Sequence, residues 1–251
     1  MFSSSLKPLV AIAVLFSATA GLIGCGGGSG TDDADVGPPP VRPVTGAEGR
    51  WAGRSSTGYD VMLTVLDSGE NWGIYTRGPV IHGAFHGTSV AVGGQLRGSA
   101  ALVDYERDGR VSTSLYSGSY IPQRQLEAGF VFDVFTAGYV PSFGQAATTA
   151  AVAGNYLGRV GGWPTPLALT INADGGLIST QPTPACLVRG SIGPRAGGRG
   201  VYDLRASFTG DGCPLPHGTG VAGIGVLDGG RLSLVSVAPS LVDFFVFQGQ
   251  R

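Results

Sequence analysis

Three histidines, three cysteines and a few serines and acids are the residues of this 251-residue chain that could do chemistry. Their spacing decides which chemistry is open to them. His82 and His86 stand four apart, a spacing that brings two imidazoles to one metal ion on a helix. Gly83 and Gly87 argue against a helix there, and on a strand four residues span about 13–14 Å. The two rings would face the same way without reaching one ion. The expectation is two half-exposed strand histidines, no metal and no other cofactor. Paired carboxylates and a phosphate-cradling loop with a lysine do not occur. Asp67, Ser89 and His217 supply the residue types of a nucleophilic triad.

That triad has a resemblance behind it. His217-Gly218-Thr219-Gly220-Val221-Ala222-Gly223 resembles the histidine motif of subtilisin-like serine proteases, Leu66-Asp67-Ser68-Gly69 their aspartate motif, and Gly87-Thr88-Ser89-Val90-Ala91 their serine motif. The resemblance implies a serine hydrolase. Three departures set it behind other readings. The order is Asp, Ser, His where that family has Asp, His, Ser; Gly93 stands in place of its proline; and the sequence after each motif is Gly-rich and strand-like, not helical. We expect no catalytic residues.

The cysteines read differently. Lys7 and an apolar stretch over residues 9–23 form a targeting segment too short for a spanning helix of ~20 residues. It ends in Leu22-Ile23-Gly24-Cys25, which resembles the lipobox of bacterial lipoproteins. The resemblance implies cleavage before Cys25, acylation of that residue and membrane attachment through its lipid. Gly26, in place of the aspartate associated with inner-membrane retention, implies the outer membrane. With Cys25 acylated, Cys186 and Cys213 remain as a disulfide pair in an oxidising compartment.

The elements that must position these residues come in two copies. Gly49-Arg50-Trp51-Ala52-Gly53-Arg54 is repeated as Gly154-Asn155-Tyr156-Leu157-Gly158-Arg159. The strand Leu63-Thr64-Val65 and turn Asp67-Ser68-Gly69 return, with one inserted residue, as Leu169-Thr170-Ile171 and Asp174-Gly175-Gly176. A duplication fixes the number of cores. The expected organisation is a signal peptide over residues 1–24, a disordered tether over 25–48, a β unit over 49–143, a linker over 144–152 and a second β unit over 153–251. Trp51 and Tyr156 are expected to fill the closed ends of their units, with Gly49, Gly53, Gly154 and Gly158 permitting close packing.

Composition supports strands. Gly accounts for 44 residues, and each one in a helix interior would cost ~1 kcal/mol relative to Ala. Tyr59, Val61, Leu63 and Val65 share one strand face. Further strands are expected at 72–75, 80–85, 95–105, 110–117 and 126–135 in the first unit, with Asp108-Gly109 as a hairpin turn. In the second they fall at 167–171, 185–191, 201–208, 218–227, 231–237 and 241–247. The fold expected is all-β, two tandem antiparallel barrels or sandwiches. Charge is nearly balanced, 16 basic against 17 acidic residues, without the concentrated positive face a nucleic-acid partner needs.

Taken whole, the chain is similar to duplicated, Gly-rich lipoproteins of proteobacteria, on the lipobox, Gly49-Arg50-Trp51-Ala52-Gly53, Val65-Leu66-Asp67-Ser68-Gly69-Glu70 and the Cys186/Cys213 pair. Gly-x-Trp also resembles the first-strand signature of lipocalin-like barrels. The function expected is a non-enzymatic envelope lipoprotein serving as a structural or binding module for an envelope protein or small ligand. The alternative is a carrier of small hydrophobic ligands, which would need a cavity lined by Trp51, Val61 and Leu63 or their counterparts.

Overall fold

A computed structural model describes residues 46–107, 109–130, 133–179, 186–197 and 199–251. Cys25, the targeting segment, most of the tether and Asp108 lie outside the described residues. The first unit contains β1 (Gly49–Ser55), β2 (Asp60–Val65), β3 (Glu70–Arg77), β4 (Val80–Val92), β5 (Gln95–Asp104), β6 (Val111–Ile121), β7 (Gln125–Phe130) and β8 (Asp133–Tyr139). Each pairs antiparallel with the next, and β8 pairs with β1, closing a barrel. The second unit repeats this with β9 (Gly154–Val160), β10 (Trp163–Ile171), β11 (Gly176–Ser179), β12 (Leu187–Pro194), β13 (Tyr202–Thr209), β14 (Gly220–Asp228), β15 (Arg231–Val237) and β16 (Phe244–Gln250).

Period-two patterning is what closes both sheets with apolar side chains inside. Along β13, Tyr202, Leu204, Ala206 and Phe208 are buried while Asp203, Arg205, Ser207 and Thr209 are exposed. The repeat extends to register. Trp51 stands opposite Leu63 and Tyr156 opposite Leu169. The turns after β2 and β10 are built alike: Gly69 and Gly175 have positive φ, and each accepts through its carbonyl from the second strand on, from Ser89 N of β4 and Ile192 N of β12 at 2.8 Å. In these turns Asp174 stands where Ser68 does, each side chain accepting from the N–H two residues on. The counterpart of Asp67 is therefore Ala173, and the Asp-to-Asp match read from the sequence is corrected by one residue.

Several boundaries also differ from expectation. The run expected as one strand over 126–135 is a hairpin, with Phe130 opposite Asp133. The short strand β11 was not expected. Leu241 has positive φ in the turn before β16, so the last strand begins three residues later than read. Residues 46–48, assigned to the tether, are packed: Ala47 and Glu48 are buried. Within the linker, Thr149–Val152 forms one helical turn (α1) capped by the Thr148 side chain, and Val152 is fully buried.

The barrels are joined along their outer faces. Trp72 and Ile74 from β3, Ala84 from β4 and Val103 from β5 pack with Ile224 and Val226 from β14, Val235 and Val237 from β15, and Phe244 and Val246 from β16 in one apolar seam. Among the described residues, three ion pairs cross it: Glu48 with Arg199 at 2.5 Å, Arg50 with Asp228 at 3.0 Å, and Glu70 with Arg195 at 3.5 Å.

Candidate functional site

The two interiors are filled differently. In the second barrel Tyr156, Leu169, Val188, Leu204, Phe208, Leu232, Leu234, Phe245 and Phe247 are all at most 1% exposed and form one continuous core. Among its described residues, the first barrel is packed in this way only at the end occupied by Trp51, Leu96 and Leu126. Its other end holds a cavity of about 960 Å³. Tyr59, Val61, Tyr75, Phe85, Phe130 and Phe135 contribute to the wall; Glu106 and Arg107 from the β5–β6 connection and Asp133 stand at the mouth. Of the residues expected to line a carrier cavity, Val61 does so. Trp51 and Leu63 belong to the packed end.

Local packing fixes the wall. Tyr75 donates to the Val103 carbonyl at 2.8 Å and fills the space that a Cβ on Gly83 would need. Burial raises its phenol pKa. Phe130 meets Phe85 and Tyr116 at 5.3 Å between centroids. At the mouth, Tyr59 donates to Glu106 at 2.5 Å and stacks beneath Arg77. That hydrogen bond holds the Glu106 carboxyl below its ordinary value, against the effect of desolvation. Burial pushes the Asp133 carboxyl up, but hydrogen bonds from Ser56 and Thr57 outweigh it and leave the group lowered.

The wall also has a gap. β6 pairs with β5 from Val111 to Ser119, whereas its pairing with β7 covers only Ser117 to Ile121. The first residues of β6 therefore run past its last described pair with β7, Ser117 with Gly129. Val111, Ser112, Thr113 and Ser114 all line the cavity. Side chains on a strand alternate between faces, so four consecutive lining residues mean that the main-chain edge itself borders the space.

His82 and His86 are more covered than expected, and each of these two meets a carboxylate. His82 is the extra residue of a bulge, since Thr76 pairs with Ile81 and Tyr75 with Gly83. Its Nδ1 lies 2.5 Å from Glu106. His86 stacks on Trp72 at 3.8 Å and its Nε2 lies 3.1 Å from Glu70. Among the described residues, no group of three His, Cys, Asp or Glu side chains could hold a metal.

The triad residues have separate partners. Ser89 Oγ donates to the Gly69 carbonyl and accepts from Asn71 inside the first barrel. His217 Nδ1 accepts from Gly210 N in the β13–β14 connection of the second. Asp67 sits in the β2–β3 turn. Cys186 and Cys213 form a disulfide tying that same connection to the start of β12. Closing a loop with 27 residues of separation stabilises the fold by about 3–4 kcal/mol.

Gly53 and Gly158 lie where the closing strand crosses. A Cβ would stand 1.9 Å from the Thr136 carbonyl in one barrel and 2.2 Å from the Gln248 carbonyl in the other. Gly49 leaves room for the Tyr139 ring, and Gly154 has positive φ. The cavity and the cross-barrel partners Arg195, Arg199 and Asp228 had no signal in the sequence, because both depend on which strands end early and which faces meet. No protein-family model, curated protein or solved structure matches the chain.

Proposed function

We propose that this chain is a lipid-anchored protein of the cell envelope, held at the outer membrane through Cys25, that binds a ligand without transforming it. The first barrel is the receptor and the second is its support. The observation that carries this reading is the contrast between the interiors. A filled barrel can only brace, whereas an open, aromatic-walled cavity of about 960 Å³ falls within the ~300–1,000 Å³ of small-ligand sites. The seam and its ion pairs hold the receptor to the support, so the cavity is presented in a fixed attitude.

The test is binding of a neutral fluorescent probe, N-phenylnaphthylamine, to the full chain. Leu102 lines the cavity and is only partly buried, so Leu102→Trp fills it. The expected result is probe binding that this substitution weakens by at least about tenfold without lowering the unfolding midpoint. Equal binding by L102W, or no binding by the parent chain, would remove the receptor reading.

A further inference from the structure

We propose that the first barrel takes an extended polypeptide segment, which adds a strand to the free edge of β6 and sends alternate side chains into the cavity. This rests on the reading of that barrel as a receptor and names its ligand. Residues 111–114 are complete on one side, where Val111, Ser112, Thr113 and Ser114 face Val103, Leu102, Ala101 and Ala100 of β5. Among the described residues no main-chain partner meets them on the other side. An exposed edge is ordinarily blunted by lysine, proline or a bulge; these four residues carry none of those devices.

The chemistry around the edge fits a peptide better than a compact apolar molecule. A small hydrophobe would use the aromatic wall and leave the edge's N–H and C=O groups to water. An added strand satisfies them and places every second side chain against Phe85, Phe130 and Phe135, the recognition mode in which main-chain bonds supply affinity and pockets supply specificity. The mouth carries both signs of charge, Arg107 and Arg110 beside Asp104, Glu106 and Asp133. Asp133 is held as a carboxylate by the Ser56 hydroxyl and by the Thr57 hydroxyl and N–H, all neutral donors. A basic side chain on the segment is the partner its charge calls for.

The experiment uses blocked hexapeptides that alternate threonine with phenylalanine, valine or leucine and carry one arginine. They compete with N-phenylnaphthylamine on the full chain. Each is also made with N-methyl groups on alternate amides, in both phases. The expected result is displacement by the parent peptides, with one methylated phase at least about tenfold weaker, and slowed amide exchange at residues 111–114. Asp133→Asn should weaken the arginine peptides by about fivefold relative to their glutamine counterparts. Indifference to both methylation phases overturns the proposal. So does failure of every peptide while the probe still binds, which leaves the receptor reading standing; if the probe itself does not bind, both fall.

Discussion

Trp51 and Tyr156 reach back the same distance along the chain: the indole N–H donates to the Ala47 carbonyl at 3.0 Å and the phenol O–H to the Val152 carbonyl at 2.9 Å, each four residues earlier. Two different rings thus pin the segment entering each barrel. The flanking glycines predict a matched pair of effects. Gly53→Ala and Gly158→Ala should each cost about 3 kcal/mol or more, because the main chain must move. Gly138→Ala and Gly193→Ala, where nothing lies within 4 Å, should cost far less. Urea denaturation of the four variants checks this, and equal losses would contradict it.

Glu48 and Arg199 are both 8% exposed in their side chains, so their pairing takes place out of water. Glu48→Gln breaks the pair while leaving Arg199 charged and should destabilise the chain by about 3–5 kcal/mol. Because the pair spans the seam, the loss should appear in the fluorescence of both barrels during unfolding.

Acid should loosen the same seam. The Glu70 carboxyl is held below 4.5, first by the hydrogen bond from His86; burial opposes this, and the charges of His86 and Arg195 reinforce it. Arg195 also meets Asp203. A lowered folded value means the stabilisation is complete above 4.5 and is lost as pH falls through the folded value. Unfolding midpoints measured from about pH 7 to about pH 3 should fall at the acid end, and Glu70→Gln should make that fall shallower. Glu106 and Asp133, also lowered, act in the same direction.

Replacing Cys25 tests the anchor. Cys25→Ala should block lipid attachment and move the protein from the membrane fraction to the soluble fraction, read by fractionation and by mass. Unchanged processing and membrane association would remove the lipoprotein reading.

Strands and turns were legible because both are local. Alternation along residues 59–65 and 202–209, and glycine at the tight turns, are carried by neighbouring residues. The hairpin at Phe130 and Asp133 was missed since no glycine, proline or asparagine stands between them in the sequence. The bulge at His82 was missed because it depends on how β3 and β4 slip past each other. Arg195 and Arg199 carried no local signal, since their partners Glu70 and Glu48 lie 125 and 151 positions away. The cavity was least legible of all, being set by the length of β6 relative to its neighbour.

The seam between the barrels joins non-equivalent faces: the third to fifth strands of one meet the sixth to eighth of the other. Such a head-to-tail contact would, if both copies kept both faces, go on adding copies into a filament. The outward faces do not repeat it: β6 to β8 expose Ser117, Glu127 and Thr136 beside Leu115, Ile121 and Val134, whereas β12 and β13 expose Arg189, Arg205 and Ser207. The polar surface of β12 and β13 offers the β6–β8 face no apolar counterpart, so within the described residues the contact is used once, between the two barrels.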